Sequence, residues 1–201
     1  SGPQSRGLGD VYKRQGIDTL HDQLVKTAGN PEIGTRAGDV RRAVGDELGP
    51  FPAPLALNVV PWAGSLKDDG WSSEELKVRN ESRKILDLPA LRVAATCVRV
   101  PVVTTHSLAV HAVFEREVTV DAARRVLSDA PGVVVYDDPE RGEFPTPNDV
   151  VGTDPTWVGR LRQHIDEPNA LELFVCGDNL RKGAALNTAQ IAEVVAAELS
   201  A

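Results

Sequence analysis

The segment LAVHAVFE, residues 108–115, decides the fold because it alternates two sets of side chains. One set is apolar throughout (Leu108, Val110, Ala112 and Phe114), and the other set includes a histidine and a glutamate. Successive side chains of a strand point to opposite faces of a sheet, so this period of two predicts a half-buried β-strand.

The surrounding sequence predicts a fold of the α+β class. Helical spacing or composition marks residues 17–26, 121–127 and 183–199, and the pair Ser72 and Glu75 predicts a capping box that starts a helix ending near residue 86. Strands and helices in this order favour a mixed, largely antiparallel sheet backed by helices. The further strands that we predict are residues 55–60, 92–100, 133–136, 157–163 and 171–176.

Two pairs of charged residues are candidates for ligand binding. Glu74 and Lys77 lie three residues apart, so both project from one face of the predicted helix. Arg99 and His106 flank Pro101, which removes a strand donor and allows a bulge that brings both side chains to one side. An arginine fork binds carboxylates and a histidine moves protons near neutral pH. The alternative for Glu74 and Lys77 is a surface ion pair without a ligand. The alternative for the other pair is a surface arginine and a hydrogen-bonded histidine.

The cysteines and histidines give no indication of a nucleophile or a metal site. Cys97 lies inside a predicted strand and Cys176 lies at a strand end, where we expect it to be more exposed. Neither has a helix start behind it, and two distant cysteines favour a reducing cytoplasm over a disulfide framework. No GxGxxG loop is present. Metal-ligand spacing is absent among His21, His106, His111 and His164, so we predict no metal site.

Charge and hydropathy exclude two classes of partner. The formal net charge is -7, which argues against binding to nucleic acid or to an anionic membrane. No apolar run approaches the roughly 20 residues of a membrane-spanning helix.

The first fifteen residues are expected to be an artefact. The chain contains no methionine, and residues 5–15 (SRGLGDVYKRQ) read like a transposon-based sequencing adapter translated in frame. We therefore exclude residues 1–15 from the fold and expect the natural sequence to begin, within its gene, near Gly16. The alternative is a natural polar tail.

Four blocks of sequence resemble the aspartate-semialdehyde dehydrogenase family, in the order of that family. They are KVRNESRKIL (residues 77–86), TCVRVPVVTTHS (96–107), VGRLRQ (158–163) and DNLRKGAALNTAQIAE (178–193). The resemblance covers residues 16–201 and favours a high-GC bacterial form. It implies a fold like the C-terminal domain of enzymes related to glyceraldehyde-3-phosphate dehydrogenase.

The resemblance implies an oxidoreductase that converts L-aspartate 4-semialdehyde, phosphate and NADP to 4-phospho-L-aspartate and NADPH. The enzyme would be a cytoplasmic homodimer of amino-acid biosynthesis, serving lysine, threonine, methionine and diaminopimelate. Carried over to this sequence, the family's roles are an acid–base histidine at His106, a carboxylate-binding arginine at Arg99, an amine-binding glutamate at Glu74, a phosphate-site lysine at Lys77, and a cofactor stretch at Asn179 and Gly183.

The departures from the family pattern lead us to expect a fragment of the enzyme that has no catalytic activity. The family's nucleophilic cysteine lies in an Asn-Cys-Thr segment, and neither Cys97 nor Cys176 occupies that place. Residues 16–182 are interpreted as the catalytic and dimerisation domain without its nucleophile. Residues 183–201 are interpreted as a helix that packs on an NADP-binding domain absent from this sequence. We therefore expect neither catalysis nor tight NADP binding by the chain alone.

Two alternative functions remain open. The first is a fragment of N-acetyl-γ-glutamyl-phosphate reductase, against which Glu74 argues because an acylated amine needs no anionic partner. The second is a non-catalytic paralogue that lacks the family's nucleophilic cysteine and serves as a dimerisation or structural module.

Overall fold

A computed structural model describes the backbone of residues 4–200 and the side chains of residues 14–183 and 185–200. The chain divides into two compact units, with the boundary between Val103 and Thr104. Within the described residues, no helix is long and apolar enough to cross a membrane.

The second unit is built on a four-stranded sheet. Its strands are β1 (His106–Val113), β2 (Val133–Val135), β3 (Thr156–Gln163) and β4 (Ala170–Gly177), in the spatial order β1-β4-β3-β2. β4 pairs antiparallel with both β1 and β3, whereas β2 pairs parallel with β3. The mixed, largely antiparallel sheet predicted from the sequence is therefore confirmed.

Helices back part of this sheet, in agreement with the predicted fold class. Helix α4 (Val120–Asp129) packs against β2 and β3, and the Thr119 side chain caps its first turn by accepting a hydrogen bond from the Ala122 amide. The short helix α5 (Pro147–Val150) contacts β4. The chain continues from a π-helical turn over residues 181–185 into helix α6 (Leu186–Leu199).

A bulge interrupts β3 just after Gly159 and is held by a buried carboxylate. Arg160 has a left-handed backbone with φ 55°, which is unusual for a residue with a side chain. The Asp137 carboxylate, whose side chain is fully buried, accepts hydrogen bonds from the Arg160 and Leu161 amides at 2.6 and 3.3 Å. It also accepts one from the Arg124 guanidinium at 2.7 Å. These bonds fix the register with which the last residues of β3 face β4.

The first unit is helical. It contains α1 (Gln4–Thr27), α2 (Asp39–Val44), a 3-10 turn (Asp68–Gly70) and α3 (Ser73–Ile85). The predicted helix over residues 17–26 lies within α1. The predicted capping box is also confirmed, since the Ser72 hydroxyl accepts from the Glu75 amide and the Glu75 carboxylate accepts from the Ser72 amide.

The prediction of two strands in this unit is wrong. Residues 55–60 and 92–100 form no regular strand, and their one backbone pairing of strand type is an isolated bridge between Val60 and Arg99. Leu55 and Val60 are nevertheless buried in the core, packed with Leu20. Apolar composition therefore predicted the burial of this segment correctly but not its backbone conformation.

A buried side chain takes the place of a neighbouring strand along this segment. Gln23 in α1 is only 1% exposed. Its Oε1 accepts hydrogen bonds from the Leu55 and Ala56 amides at 2.7 and 3.1 Å, and its Nε2 donates to the Glu47 carbonyl at 3.3 Å. Buried amides require partners, so this glutamine fixes an irregular segment in the core.

We expect the substitution Gln23→Ala to lower the free energy of unfolding by about 2–4 kcal/mol, because it leaves the buried Leu55 and Ala56 amides without acceptors. Chemical denaturation of the full chain measures this. The exposed residue Gln15, also in α1, provides the matched control, and Gln15→Ala should change stability by less than about 0.5 kcal/mol. Equal effects of the two substitutions would contradict this role of Gln23.

Candidate functional site

The pairing of β1 with β4 brings two of the predicted site residues together in the second unit. His106 is the first residue of β1 and lies opposite Gly177, the last residue of β4. Asn179 follows β4 by two residues, and its side-chain oxygen accepts a hydrogen bond from the Thr105 amide at 3.0 Å. The histidine and the asparagine therefore lie at the same end of one strand pair, and His106 is exposed there.

Thr105 is a residue of this site that the sequence did not indicate. Its φ of 77° lies in the left-handed region, which a β-branched residue rarely adopts. Its hydroxyl is buried and has no hydrogen-bond partner within the described residues. Strained backbone and unpaired buried polar groups concentrate at functional sites. The Thr105 hydroxyl, next to His106 in sequence, therefore lacks, among the residues that the structure describes, the partner that a buried polar group requires.

Asp178 fixes the turn that carries Asn179. The Asp178 side chain is buried, and its two carboxylate oxygens accept hydrogen bonds from the Gly152 and Leu180 amides, each at 2.8 Å. Burial raises the pKa of this carboxyl, but the amide hydrogen bonds outweigh burial and hold the pKa below its usual range. The Gly-Asp-Asn sequence after a predicted strand is a signal for such a turn, because aspartate side chains bond amides two residues ahead.

Gly183 lies beside this turn. It belongs to the π-helical turn over residues 181–185, and a Cβ built on it would lie 3.5 Å from Asn179 Cβ, an ordinary contact distance. The side-chain NH₂ of Asn179 is a donor that fits the amide end of a nicotinamide ring in chemistry. No glycine-rich loop of the dinucleotide-binding kind occurs in the sequence, so these residues fit only that end of the cofactor.

Glu74 and Lys77 lie in the first unit, within the first two turns of α3. Their side chains form an ion pair with an O–N distance of 3.6 Å, and about half of each side chain is exposed. The prediction that both residues share one helix face is therefore confirmed. An exposed pair of this kind contributes little to stability, so either partner is free to bind another charged group.

Glu75, the neighbour of Glu74, has a structural role. Besides closing the capping box, its carboxylate accepts a hydrogen bond from the Cys97 amide at 3.1 Å. The amide hydrogen bonds from Ser72 and Cys97 hold the Glu75 pKa below its usual range, although burial opposes them. Glu75 thus ties the segment containing Cys97 to the start of α3.

Arg99 lies in the first unit as well. Its amide and carbonyl pair with Val60 at 2.8 and 2.9 Å, and its exposed guanidinium lies 5.7 Å from the centroid of the Phe51 ring. The arginine is therefore held by its backbone, while its side chain offers a donor fork to an anion. Arg99, Glu74 and Lys77 belong to the first unit, whereas His106, Asn179 and Gly183 belong to the second.

Neither cysteine lies in surroundings that favour a thiolate. Burial, followed by the negative charges of Glu75 and Glu74, raises the pKa of Cys97. Burial also raises the pKa of Cys176, which is 0% exposed and has its sulfur 3.2 Å from the Ser107 hydroxyl oxygen. The expectation that Cys176 would be more exposed is wrong, because the segment containing Pro145 covers it.

An open recess in the first unit does not include the predicted substrate-binding residues. This open recess of about 400 Å³ is lined by residues 69–71, Glu75 and residues 94–96. Glu74, Lys77 and Arg99 lie outside its lining, so its volume does not support their predicted roles.

Comparison with known proteins assigns the chain to a family. The family model described as semialdehyde dehydrogenase, dimerisation domain, matches residues 14–182. The aspartate-semialdehyde dehydrogenase of Streptomyces akiyoshiensis is 50% identical over 186 residues, which are 92% of this chain and 53% of that relative. The enzyme of the same name from Corynebacterium glutamicum is 48% identical over 185 residues, covering 90% and 51% of the two chains.

A solved structure agrees with these relatives. The crystal structure of aspartate semialdehyde dehydrogenase II from Vibrio cholerae, complexed with ASA, matches with a TM-score of 0.76 at 33% identity. The match covers 90% of this chain and 49% of that one, so the chain spans about half the length of the proteins it matches. The actinobacterial relatives also agree with the high-GC resemblance. The chain belongs to the aspartate-semialdehyde dehydrogenase family, and it corresponds to the C-terminal, dimerisation part of that family's enzymes.

Proposed function

We propose that this chain supplies the substrate-binding and proton-transfer residues of an NADP-dependent aspartate-semialdehyde dehydrogenase. The enzyme would convert L-aspartate 4-semialdehyde and phosphate to 4-phospho-L-aspartate, in the cytoplasmic biosynthesis of lysine, threonine, methionine and diaminopimelate. The observation that carries this proposal is the β1–β4 pairing that places His106 beside Asn179, within sequence blocks that resemble the family.

His106 is proposed as the acid–base residue. His106 is an exposed residue at the head of β1, and histidine exchanges protons near neutral pH. Addition of a thiol to an aldehyde forms a thiohemiacetal hydroxyl. Oxidation of this adduct to a thioester requires removal of the hydroxyl proton. His106 would accept that proton, and bound NADP would supply the chemistry of hydride acceptance.

Arg99, Glu74 and Lys77 are proposed to bind the charged groups of the substrates. The planar fork of Arg99 matches the substrate carboxylate, since arginine binds carboxylates through two parallel hydrogen bonds. The Glu74 carboxylate would hold the substrate ammonium and the Lys77 ammonium would hold phosphate. The weak, exposed pairing of these two side chains supports this proposal, because separating them costs only about 0.2–0.5 kcal/mol.

Asn179, with Gly183 beside it, is proposed to contact the nicotinamide end of NADP. One side-chain atom of Asn179 is held by the Thr105 amide, which leaves its NH₂ group to donate to the nicotinamide carboxamide. Helix α6 exposes Ile191, Val194 and Val195, and we propose that these side chains pack against the NADP-binding half. The family's dimerisation domain also supports a homodimer as the functional assembly.

The chain alone should be inactive and should not bind NADP tightly. Its two cysteines have raised thiol pKa values, which disfavours each of them as the nucleophile that the reaction requires. Calorimetry with NADP and an assay of NADP reduction with L-aspartate 4-semialdehyde and phosphate test both expectations. Tight NADP binding, or turnover by the chain alone, would contradict the proposal.

A chimera tests the assigned roles. Its N-terminal half comes from the Streptomyces akiyoshiensis enzyme and is joined to residues 16–201 of this chain. We expect His106→Asn to lower kcat by about 10²–10⁴-fold, because it removes the proton acceptor. Arg99→Ala should act mainly by raising KM for the semialdehyde, because it removes a group that holds the substrate carboxylate.

Exposed residues of the same types serve as controls for these two substitutions. His21→Asn in α1 and Arg92→Ala, on the segment that leads to Arg99, should leave both kinetic parameters of the chimera nearly unchanged. Small and equal effects of His106→Asn and Arg99→Ala would contradict the assignments.

A further inference from the structure

Three potential metal ligands meet on one face of the sheet in the second unit, away from the strand end that carries His106. His111 in β1 lies directly opposite Glu172 in β4, and the imidazole Nδ1 donates a hydrogen bond to the carboxylate at 2.7 Å. His164 follows β3, and its ring centroid lies 5.3 Å from that of His111. One ligand atom from each of the three residues lies within 4.8 Å of the others.

The sheet itself produces this cluster. The amide of His164 donates to the Ala170 carbonyl at 3.0 Å, which continues the β3–β4 pairing one step beyond the end of β3. Arg162 faces Glu172 across the same two strands, and residues two apart on a strand share a face. His164 therefore lies on the face that carries Glu172 and His111. Sequence spacing could not reveal this, because the three residues lie on three separate segments.

We propose that His111, His164 and Glu172 bind a divalent transition-metal ion of the Zn²⁺ type. Two imidazoles and one carboxylate are a donor set that binds zinc while leaving a fourth position for water. Donor atoms of a tetrahedral zinc site lie about 3.4 Å apart, since each bond is about 2.1 Å long. The side chains of His111 and Glu172 are 47% and 23% exposed, so side-chain rotation on the paired backbone can close the cluster.

Existing hydrogen bonds compete with the ion. His164 Nδ1 accepts from the Asp166 and Glu167 amides at 3.2 and 3.1 Å, and metal ligation replaces these contacts and the bond between His111 and Glu172. The affinity therefore depends on how far three metal bonds outweigh three hydrogen bonds. The hydrogen bond of His111 with Glu172 accounts for two members of the cluster, and the proximity of His164 adds the third ligand.

Arg162 provides a way to separate metal binding from the hydrogen bond between His111 and Glu172. Arg162 lies opposite Glu172 in the β3–β4 pairing, so it shares a face of the sheet with the cluster. The guanidinium donates to the Arg160 carbonyl, so it is not itself a partner that the cluster needs. A cation at the cluster is repelled by this charge. Removing the charge should therefore favour metal binding.

A bound ion would link three segments of the second unit. It would join β1, which lies at one edge of the sheet, to β4 and to the residues that follow β3. A ligand that binds only the folded state stabilises it in proportion to its affinity and concentration. Zinc should therefore raise the unfolding temperature of the chain.

Titration of the full chain with ZnCl₂ in a calorimeter tests the site. We expect one ion per chain, with binding weakened about tenfold or more by His111→Gln and by His164→Gln, because each removes a ligand. His21→Gln, which removes an exposed histidine from α1, should leave the affinity unchanged. Arg162→Gln should tighten binding about twofold or more by removing a repulsive charge without removing a ligand.

Three results would overturn the proposal. The first is an absence of zinc binding by the unsubstituted chain and by Arg162→Gln. The second is an affinity that is the same in His111→Gln and His164→Gln as in the unsubstituted chain. The third is a thiolate-to-cobalt charge-transfer band when Co²⁺ replaces Zn²⁺, since it would assign the ion to a cysteine.

Discussion

The antiparallel pairing of β1 with β4 is the constraint on which the second unit depends. This pairing matches His106–Val113 with Ala170–Gly177 without interruption. At one end it places His106 beside the turn that carries Asn179. Further along it sets the Ser107 hydroxyl against the buried Cys176 sulfur, and beyond that it sets His111 against Glu172. A shift of one residue would move each β1 side chain to the other face and separate these pairs.

The strand end that carries His106 combines rigid support with an unsatisfied group. Asp178 is buried and holds the turn through backbone amides, and Asn179 holds the amide of Thr105. Between these supports Thr105 keeps a left-handed backbone and a buried hydroxyl that lacks a partner within the described part of the chain. Such strain persists only where the surroundings fix it, and here the hydrogen bonds of Asp178 and Asn179 do so.

The sequence predicted the positions of the strands in the second unit well, because strand-forming composition, and in residues 108–115 a period of two, mark segments that pair with one another through their backbones. It failed over residues 55–60 and 92–100, where the composition is that of a strand. There the Leu55 and Ala56 amides bind the side chain of Gln23, and prolines precede the segment. Periodicity carries no information about a distant glutamine that replaces a neighbouring strand.

Some residues of the candidate site were identified from the sequence, whereas others depend on contacts that exist only in the folded chain. His106, Arg99, Glu74, Lys77, Asn179 and Gly183 were identified by resemblance to a family whose membership the comparisons support. Their individual roles remain proposals. Thr105 was missed because strain and an unpaired hydroxyl are properties of the folded chain. The burial of Cys176 and the proximity of His111, His164 and Glu172 likewise depend on contacts between segments far apart in sequence.

The proposed enzyme and its nearest rival differ in the amine that they recognise, so substrate preference tests the central claim most directly. The measurement is kcat/KM of the chimera for L-aspartate 4-semialdehyde and for N-acetyl-L-glutamate 5-semialdehyde, each with phosphate and NADP. Our account predicts a strong preference for L-aspartate 4-semialdehyde, because Glu74 provides an anion for a free ammonium group. Preference for the acetylated substrate would contradict the account.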